Sequence, residues 1–336
     1  MKVGILTFQF ADNYGAVLQC LALQEAAKKY GADAKVIDYL PSKMVSKKHR
    51  IKKMILPKGF EKKFEQFRKN HFHRISSNES CDAILIGSDQ VWNADITDYD
   101  DFWIMPEINC KRLCSYAASF GKGSLSEKEE EYLLAHKSDF DKYFSVTVRE
   151  KAGKEFLEKL QVKAETVCDP TLLFYDEPAL YDNLAEKSEY KTNGDYILVY
   201  SLEYSKQLDE LIEKVRKETG KKVIALHPMN DSIQICDDFV RDASVYDFLA
   251  LIKNADCILT NSFHGLAFSY IFRKKVYCVH HSSLSSRQSE LMEKSGFVYE
   301  NCGENVYYMD TAQATQEMKN FVGNSHKCLE FMVKEL

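Results

Sequence analysis

What most constrains this chain is a rhythm. Short apolar runs alternate with longer stretches of helical spacing from one end to the other. That rhythm builds β-α units around a parallel sheet, because parallel neighbours need a crossover long enough to hold a helix. Val3–Phe8 reads as the first strand. After the polar loop Gln9–Gly15, residues Val17–Tyr30 show helical spacing at Leu18, Leu21, Ala22 and Glu25, and Gly31 can end the helix. Ala34–Tyr39, Ala83–Gly87, Arg112–Ala117, Tyr143–Val148 and Glu165–Cys168 supply further strands. The series restarts after the polar stretch Glu186–Asp195, with strands at Tyr196–Tyr200, Lys222–Leu226, Cys257–Leu259 and Lys275–Val279. Ser205–Thr219, Ser244–Asn254 and Gly265–Phe272 read as the helices between them. With 336 residues, and roughly 150 per domain, the chain is long enough for two domains. The pattern predicts an α/β protein of two Rossmann-like domains facing a cleft. Residues 1–185, with a basic insertion at 43–74, form the first and residues 186–310 the second. A linker falls near Tyr181–Gly194, and amphipathic helices over 311–336 can cross back to the first domain.

Composition narrows the function classes. The net charge of −5 gives no global reason to expect nucleic acid as partner. The charge is uneven, however: Lys43–Arg74 holds twelve Lys/Arg against two Glu. Ile51, Met54, Ile55, Leu56, Phe60, Phe64 and Phe67 lie among those charges. The segment can be a solvated insertion or a peripheral contact with a membrane carrying an anionic acceptor. The start, Met1–Phe8, reads as a strand rather than a signal peptide, and no run approaches the ~20 apolar residues of a membrane span. The ten cysteines suit no disulfide framework in a chain this long. Cys168, Cys257 and Cys278 sit in apolar runs as small hydrophobes, and the Cys110/Cys114 spacing lacks partners for a zinc site. The expectation is a cytoplasmic protein with reduced thiols and no metal.

Chemistry concentrates at strand ends. Thr260-Asn261-Ser262-Phe263-His264-Gly265 closes a buried strand and opens a helix, a place that attracts anions. His264 there can donate a proton or steady negative charge near neutral pH, or Asn261 and Ser262 can simply cap the helix while His264 packs. Asp82–Ser88 and Asp256–Ser262 share Asp, Ile-Leu and Ser in one register, which makes Gly87-Ser88-Asp89-Gln90-Val91-Trp92-Asn93 the matching loop of the first half. Its dense hydrogen-bonding groups suit a polyhydroxylated ligand, with the Trp92 indole as a sugar platform; a turn with local bonds is the plainer alternative. Asp12-Asn13-Tyr14-Gly15 follows the first strand, and Gly15 permits close backbone approach. Arg149 ends a strand, where a guanidinium can clamp an anion, or pair with its neighbour Glu150 in solvent. Asp169, before Pro170, reads as structural. Ser285-Ser286-Arg287 opens a late helix and offers a second guanidinium.

Taken together and in order, DNYGAVLQ (Asp12–Gln19), GSDQVWN (Gly87–Asn93), YAASFG (Tyr116–Gly121), VRE (Val148–Glu150), DPTL (Asp169–Leu172) and NSFHGLAF (Asn261–Phe268) resemble the polysaccharide pyruvyl transferase family. The resemblance implies a fold similar to the GT-B glycosyltransferases. It also implies transfer of the enolpyruvyl unit of phosphoenolpyruvate to two hydroxyls of a saccharide, giving a pyruvate ketal in cell-surface polysaccharide. Phosphoenolpyruvate would be a substrate and no cofactor is implied. His264 matches the family's motif histidine, as general acid or phosphate stabiliser, and Arg149 matches the arginine of the VRE block. Asn261, Ser262, Gly265, Ser286 and Arg287 would hold the donor. Asp12, Asn13, Tyr14, Gly15, Ser88, Asp89, Gln90, Trp92 and Asn93 would hold a saccharide or lipid-linked oligosaccharide. Several branches of the family carry arginine two residues before the motif histidine; here Ser262 stands there, and Arg287 is the expected substitute. A GT-B glycosyltransferase using a nucleotide sugar, and a non-catalytic saccharide-binding protein, are the competing readings.

Overall fold

A computed structural model describes residues 1–41, 57–192, 194–227, 233–280 and 285–334. The chain divides into two compact units. The first comprises Met1–Ile51, Arg68–Leu173 and Asn320–Leu336; the second comprises Lys52–Phe67 and Phe174–Lys319.

The first unit is a seven-stranded parallel sheet. Its strands are β1 (Lys2–Leu6), β2 (Asp33–Asp38), β3 (Arg74–Ser76), β4 (Cys81–Ile86), β5 (Cys110–Ala118), β6 (Ser145–Val148) and β7 (Glu165–Thr166). They lie in the order β3-β2-β1-β4-β5-β6-β7. Helix α1 (Tyr14–Lys29) is capped by the Asn13 side chain, which accepts from the Ala16 N–H. Nearly every one of its side chains is buried, as expected of a crossover helix under a sheet's face. The order reverses between β1 and β4, so the loops after those two strands diverge and open the crevice where doubly wound sheets bind ligands.

The second unit repeats the plan with an antiparallel edge. Strands β8 (Tyr196–Tyr200), β9 (Lys222–Leu226), β10 (Asp238–Val240), β11 (Cys257–Thr260), β12 (Lys275–Val279), β13 (Tyr299–Gly303) and β14 (Val306–Asp310) run in the order β10-β9-β8-β11-β12-β14-β13. The first five are parallel, and the β13–β14 hairpin adds antiparallel to β12. The central β8 is wholly buried, and each such Ile, Leu or Val contributes about 1.5–3 kcal/mol. The order reverses between β8 and β11, the counterparts of β1 and β4. The register match of Asp82–Ser88 with Asp256–Ser262 therefore falls on topologically equivalent strands.

Helix α2 (Phe60–His71) corrects the reading of the basic stretch in part. Phe60, Phe64 and Phe67 are buried, with Phe67 against Tyr246 at 5.5 Å. Three of the apolar residues offered to a membrane are thus spent on the protein's own core. Two of its charges are paired as well: Lys63 bonds the Asp242 carboxylate at 2.8 Å and Arg68 the Asp12 carboxylate at 2.9 Å. Ile51, Met54, Ile55 and Leu56 lie outside the described residues. The last helix, α10 (Gln316–Lys334), passes into the first unit from Asn320. There Ser325 Oγ accepts from the Cys168 N–H at 2.9 Å. Among the described residues no helix is long and apolar enough to cross a membrane, and no cluster of His, Cys, Asp and Glu is placed to hold a metal ion. All ten cysteines are free, and burial pushes the thiols of Cys168, Cys257 and Cys278 each up to about 12.

Candidate functional site

At the reversal point of the second unit, the end of β11 is locked before the helix begins. The Thr260 hydroxyl donates to the Tyr200 carbonyl at 2.7 Å and accepts from the Ser262 N–H at 3.0 Å. Asn261 Oδ1 accepts from the Leu202 N–H at 2.7 Å, and its Nδ2 donates to the Glu203 carbonyl at 3.2 Å. The Asn261 side chain therefore ties the β11 loop to the β8 loop across the reversal. Ser262 is the N-cap of α8 (Phe263–Ile271), its hydroxyl accepting from the Gly265 N–H at 3.4 Å. A Cβ on Gly265 would lie 2.2 Å from Thr260 Oγ1, so only glycine lets the first turn sit this close to the strand. Phe268 anchors the helix between Tyr181 and Phe248, at 5.0 and 5.7 Å. His264 is the second helical residue and keeps part of its surface exposed, its ring edge-on to Phe263 at 5.2 Å. A polar helix start with a partly exposed imidazole can receive an anion and pass a proton.

The corresponding place in the first unit is filled from within. The Thr7 hydroxyl donates to the Ser88 carbonyl at 2.8 Å and accepts from Gln19 Nε2 at 2.9 Å. Ser88 Oγ donates to the Ala117 carbonyl at 2.9 Å and approaches Asp169 Oδ2 at 3.3 Å. Asp169, fully enclosed, also receives Arg149 Nη1 at 2.9 Å and the Thr171 hydroxyl at 2.8 Å. Glu150 Oε1 accepts from the Ser119 hydroxyl and from the Phe120 and Gly121 N–H groups, at 2.8, 2.8 and 3.1 Å. Burial pulls the Arg149 guanidinium down, but Asp169, Glu150 and Asp89 outweigh it and hold it above its ordinary value. The backbone is equally constrained here, with positive φ at Gly87 (109°), Asp89 (70°) and Ala117 (50°). A Cβ on Gly87 would meet the Tyr116 carbonyl oxygen at 2.5 Å.

The sequence profile of the polysaccharide pyruvyl transferase family matches residues 13–283. The chain belongs to that family. It is a transferase. No individually curated protein matches it significantly in sequence. Among solved structures, a UDP-GlcNAc 2-epimerase from Neisseria meningitidis bound to UDP-GlcNAc is 9% identical, covers 100% of each chain and has a TM-score of 0.52. A UDP-N-acetylglucosamine 2-epimerase at 11% identity covers 99% of this chain and 94% of its own, with a TM-score of 0.50. The UDP-GlcNAc 2-epimerase from Methanocaldococcus jannaschii is 12% identical, covers 99% and 93%, and has a TM-score of 0.44. For the first two, at these identities, the likeness is one of fold, a pair of Rossmann-like sheets of GT-B type.

In this pyruvyl transferase family member, five of the six motif blocks lie in the first unit, and four of them (GSDQVWN, YAASFG, VRE and DPTL) meet in the buried network around Arg149. That corrects two sequence expectations. Arg149 is not an open anion clamp: it is 5% exposed and faces three carboxylates, a net negative setting that repels another anion. Trp92 is not a sugar platform. Its indole is 4% exposed, donates to the Trp103 carbonyl at 3.0 Å, and packs against Phe120 and Phe140. Ser88 and Tyr14 are buried, and Gly15 lies within α1. Asp12 is engaged by Arg68, Asn13 caps α1, and Asn93 is buried with its Nδ2 on Gln90 at 3.1 Å. Asn13 is exposed, and Asp89 and Gln90 partly so. In the second unit, Ser286 is exposed, Arg287 is buried on α9 (Ser285–Ser295), and α9 packs on α8. Sequence reading missed Glu150 as the organiser of the Ser119–Gly121 loop. It also passed over Thr260 as the brace of the helix start, for which a hydroxyl at a strand's last position was the available signal.

Proposed function

We propose that this transferase moves the enolpyruvyl unit of phosphoenolpyruvate onto two hydroxyls of a saccharide, closing a cyclic ketal and releasing phosphate, in cytoplasmic synthesis of cell-surface polysaccharide. The observation that carries the reading is His264 at the second position of a braced, Ser262-capped helix at a reversal point, in a chain of this family. Phosphoenolpyruvate is small and highly anionic, which suits a helix N-terminus. A proton delivered to its methylene carbon leaves a cation at the neighbouring carbon. One hydroxyl adds there, phosphate departs, and the second hydroxyl closes the ring. We assign the proton, or the steadying of the departing phosphate, to His264. Ser262 spends its hydroxyl on the cap, so the guanidinium partner for the donor falls to Arg287, beside α8. Asn13, Asp89 and Gln90, whose side chains keep exposed surface, are assigned to saccharide hydroxyls.

The test is phosphate release from phosphoenolpyruvate on addition of soluble and lipid-linked galactoside, glucoside and N-acetylmannosamine acceptors. Release that depends on acceptor supports the reading. Turnover only with nucleotide sugars contradicts it.

A further inference from the structure

We infer that the hollow between α9 and the β13–β14 hairpin of the second unit is a subsite for a neutral pyranose ring of a saccharide chain. The inference shares with the proposed function only the saccharide class of its ligand.

Register builds one wall. Tyr307 is opposite Cys278, and Tyr299 is opposite Met309, itself opposite Val276. Strand alternation then puts Val276, Cys278, His280, Tyr307 and Tyr299 on one face. That face looks toward α9, because the Gln288 amide reaches Cys278 Sγ at 3.5 Å. The rings of His280, Tyr307 and Tyr299 follow one another along it, 4.6 Å apart and tilted by 38° for the first pair, 5.6 Å apart and edge to face for the second. Met292 and Phe297, both buried, close the floor. Ser289 and Glu293 stand on the rim, and Ser289 Oγ lies 3.3 Å from His280 Nε2. The space encloses about 520 Å³, within the roughly 300–1,000 Å³ of small-ligand pockets. Folding gives no reason for Tyr299, 51% exposed, and its neighbour Val298, 87% exposed, to face solvent together.

Aromatic faces beside a carboxylate and a hydroxyl match a pyranose, whose C–H face stacks while its hydroxyls donate outward. Burial holds His280 below its ordinary value, so the ring is neutral, with one nitrogen a donor and the other an acceptor, and Nε2 is shared with Ser289. The Glu293 carboxylate on the rim disfavours a phosphorylated ligand. His280 directly follows β12, the partner of β11, so the hollow starts at the sheet end that carries His264 and runs toward the sheet edge.

The test is saturation-transfer NMR on the full-length protein with cellotetraose, chitotetraose and a β-1,4-galactotetraose, and with UDP as the nucleotide control. At least one tetrasaccharide is expected to bind. Tyr299→Ala, at a half-exposed position that spares the fold, and Tyr307→Ala should each weaken that binding about 3- to 10-fold, while His264→Ala leaves it unchanged. The proposal is overturned if no tetrasaccharide binds. It is equally overturned if both tyrosine variants bind like the parent, or if UDP rather than a sugar is the ligand they lose. Binding is read without turnover, so absence of phosphate release from phosphoenolpyruvate would sink the proposed reaction and leave this result standing.

Discussion

The two sheets of this molecule reverse direction at equivalent places, and the two places are built in opposite ways. In the second unit, Thr260, Asn261 and Ser262 spend their side chains on the frame and leave an imidazole at a helix start. In the first, Ser88, Arg149, Glu150 and Asp169 spend theirs on one another and on the neighbouring loop, and leave a rigid frame with a net negative charge. A reversal point is therefore a location for a site, not yet a site. What separates the two is whether the polar groups are consumed by the protein or presented to a ligand.

The sharpest way to break this comparison is at the two candidate centres. His264→Ala should lower phosphate release by roughly 10²–10⁴-fold with the urea midpoint unchanged. A variant that unfolds but retains specific activity would reverse its assigned role. Arg149→Met should do the opposite, since it strands Asp169 and Glu150 without their cation. We expect a loss of about 3–5 kcal/mol in urea unfolding. Arg287→Gln should raise the KM for phosphoenolpyruvate roughly tenfold. An Arg149 variant with normal stability but no affinity for phosphoenolpyruvate would make it the anion clamp after all.

Gly265→Ala sharpens the picture of the brace. Its methyl must displace Thr260 Oγ1, which should cost about 1–3 kcal/mol and lower activity through the shifted helix start. The smallest effect concerns the capping boxes, Ser126/Glu129 in the first unit and Ser244/Asp247 in the second. Burial pushes the Asp247 carboxyl up, but hydrogen bonds from Ser188, Ser244 and Tyr190 prevail and hold it below its ordinary value. A carboxyl lowered on folding contributes stability above its unfolded value, about pH 4, and loses it as pH falls further. Asp247→Asn should thus cost about 1 kcal/mol at pH 7, with the difference from the parent fading below about pH 4. A constant difference down to pH 2 would contradict this.

The central parallel strands were legible because they are short, apolar and separated by capped helices. The edges were not. β3, β10 and the β13–β14 hairpin are brief and half polar, so neither period stands out. The His264 turn could be read locally, since Ser262 and Gly265 signal a helix start by themselves. The Arg149 network could not: its closest partner, Asp169, is twenty residues away, and its sequence neighbour Glu150, 3.8 Å from Arg149 Nε through one oxygen, gives the other to the Ser119–Gly121 loop. Trp92 misled for a related reason. Polar residues crowded into Gly87–Asn93 look ligand-facing in sequence, yet the Asn93 amide bonds Gln90 and the Trp92 indole bonds Trp103.

The most direct measurement of the central claim is the mass of the saccharide product formed with phosphoenolpyruvate and a UDP-hexose supplied together. A gain of ~70 Da, abolished by His264→Ala, is the ketal this account predicts; a gain of ~162 Da, a transferred hexose, would contradict it.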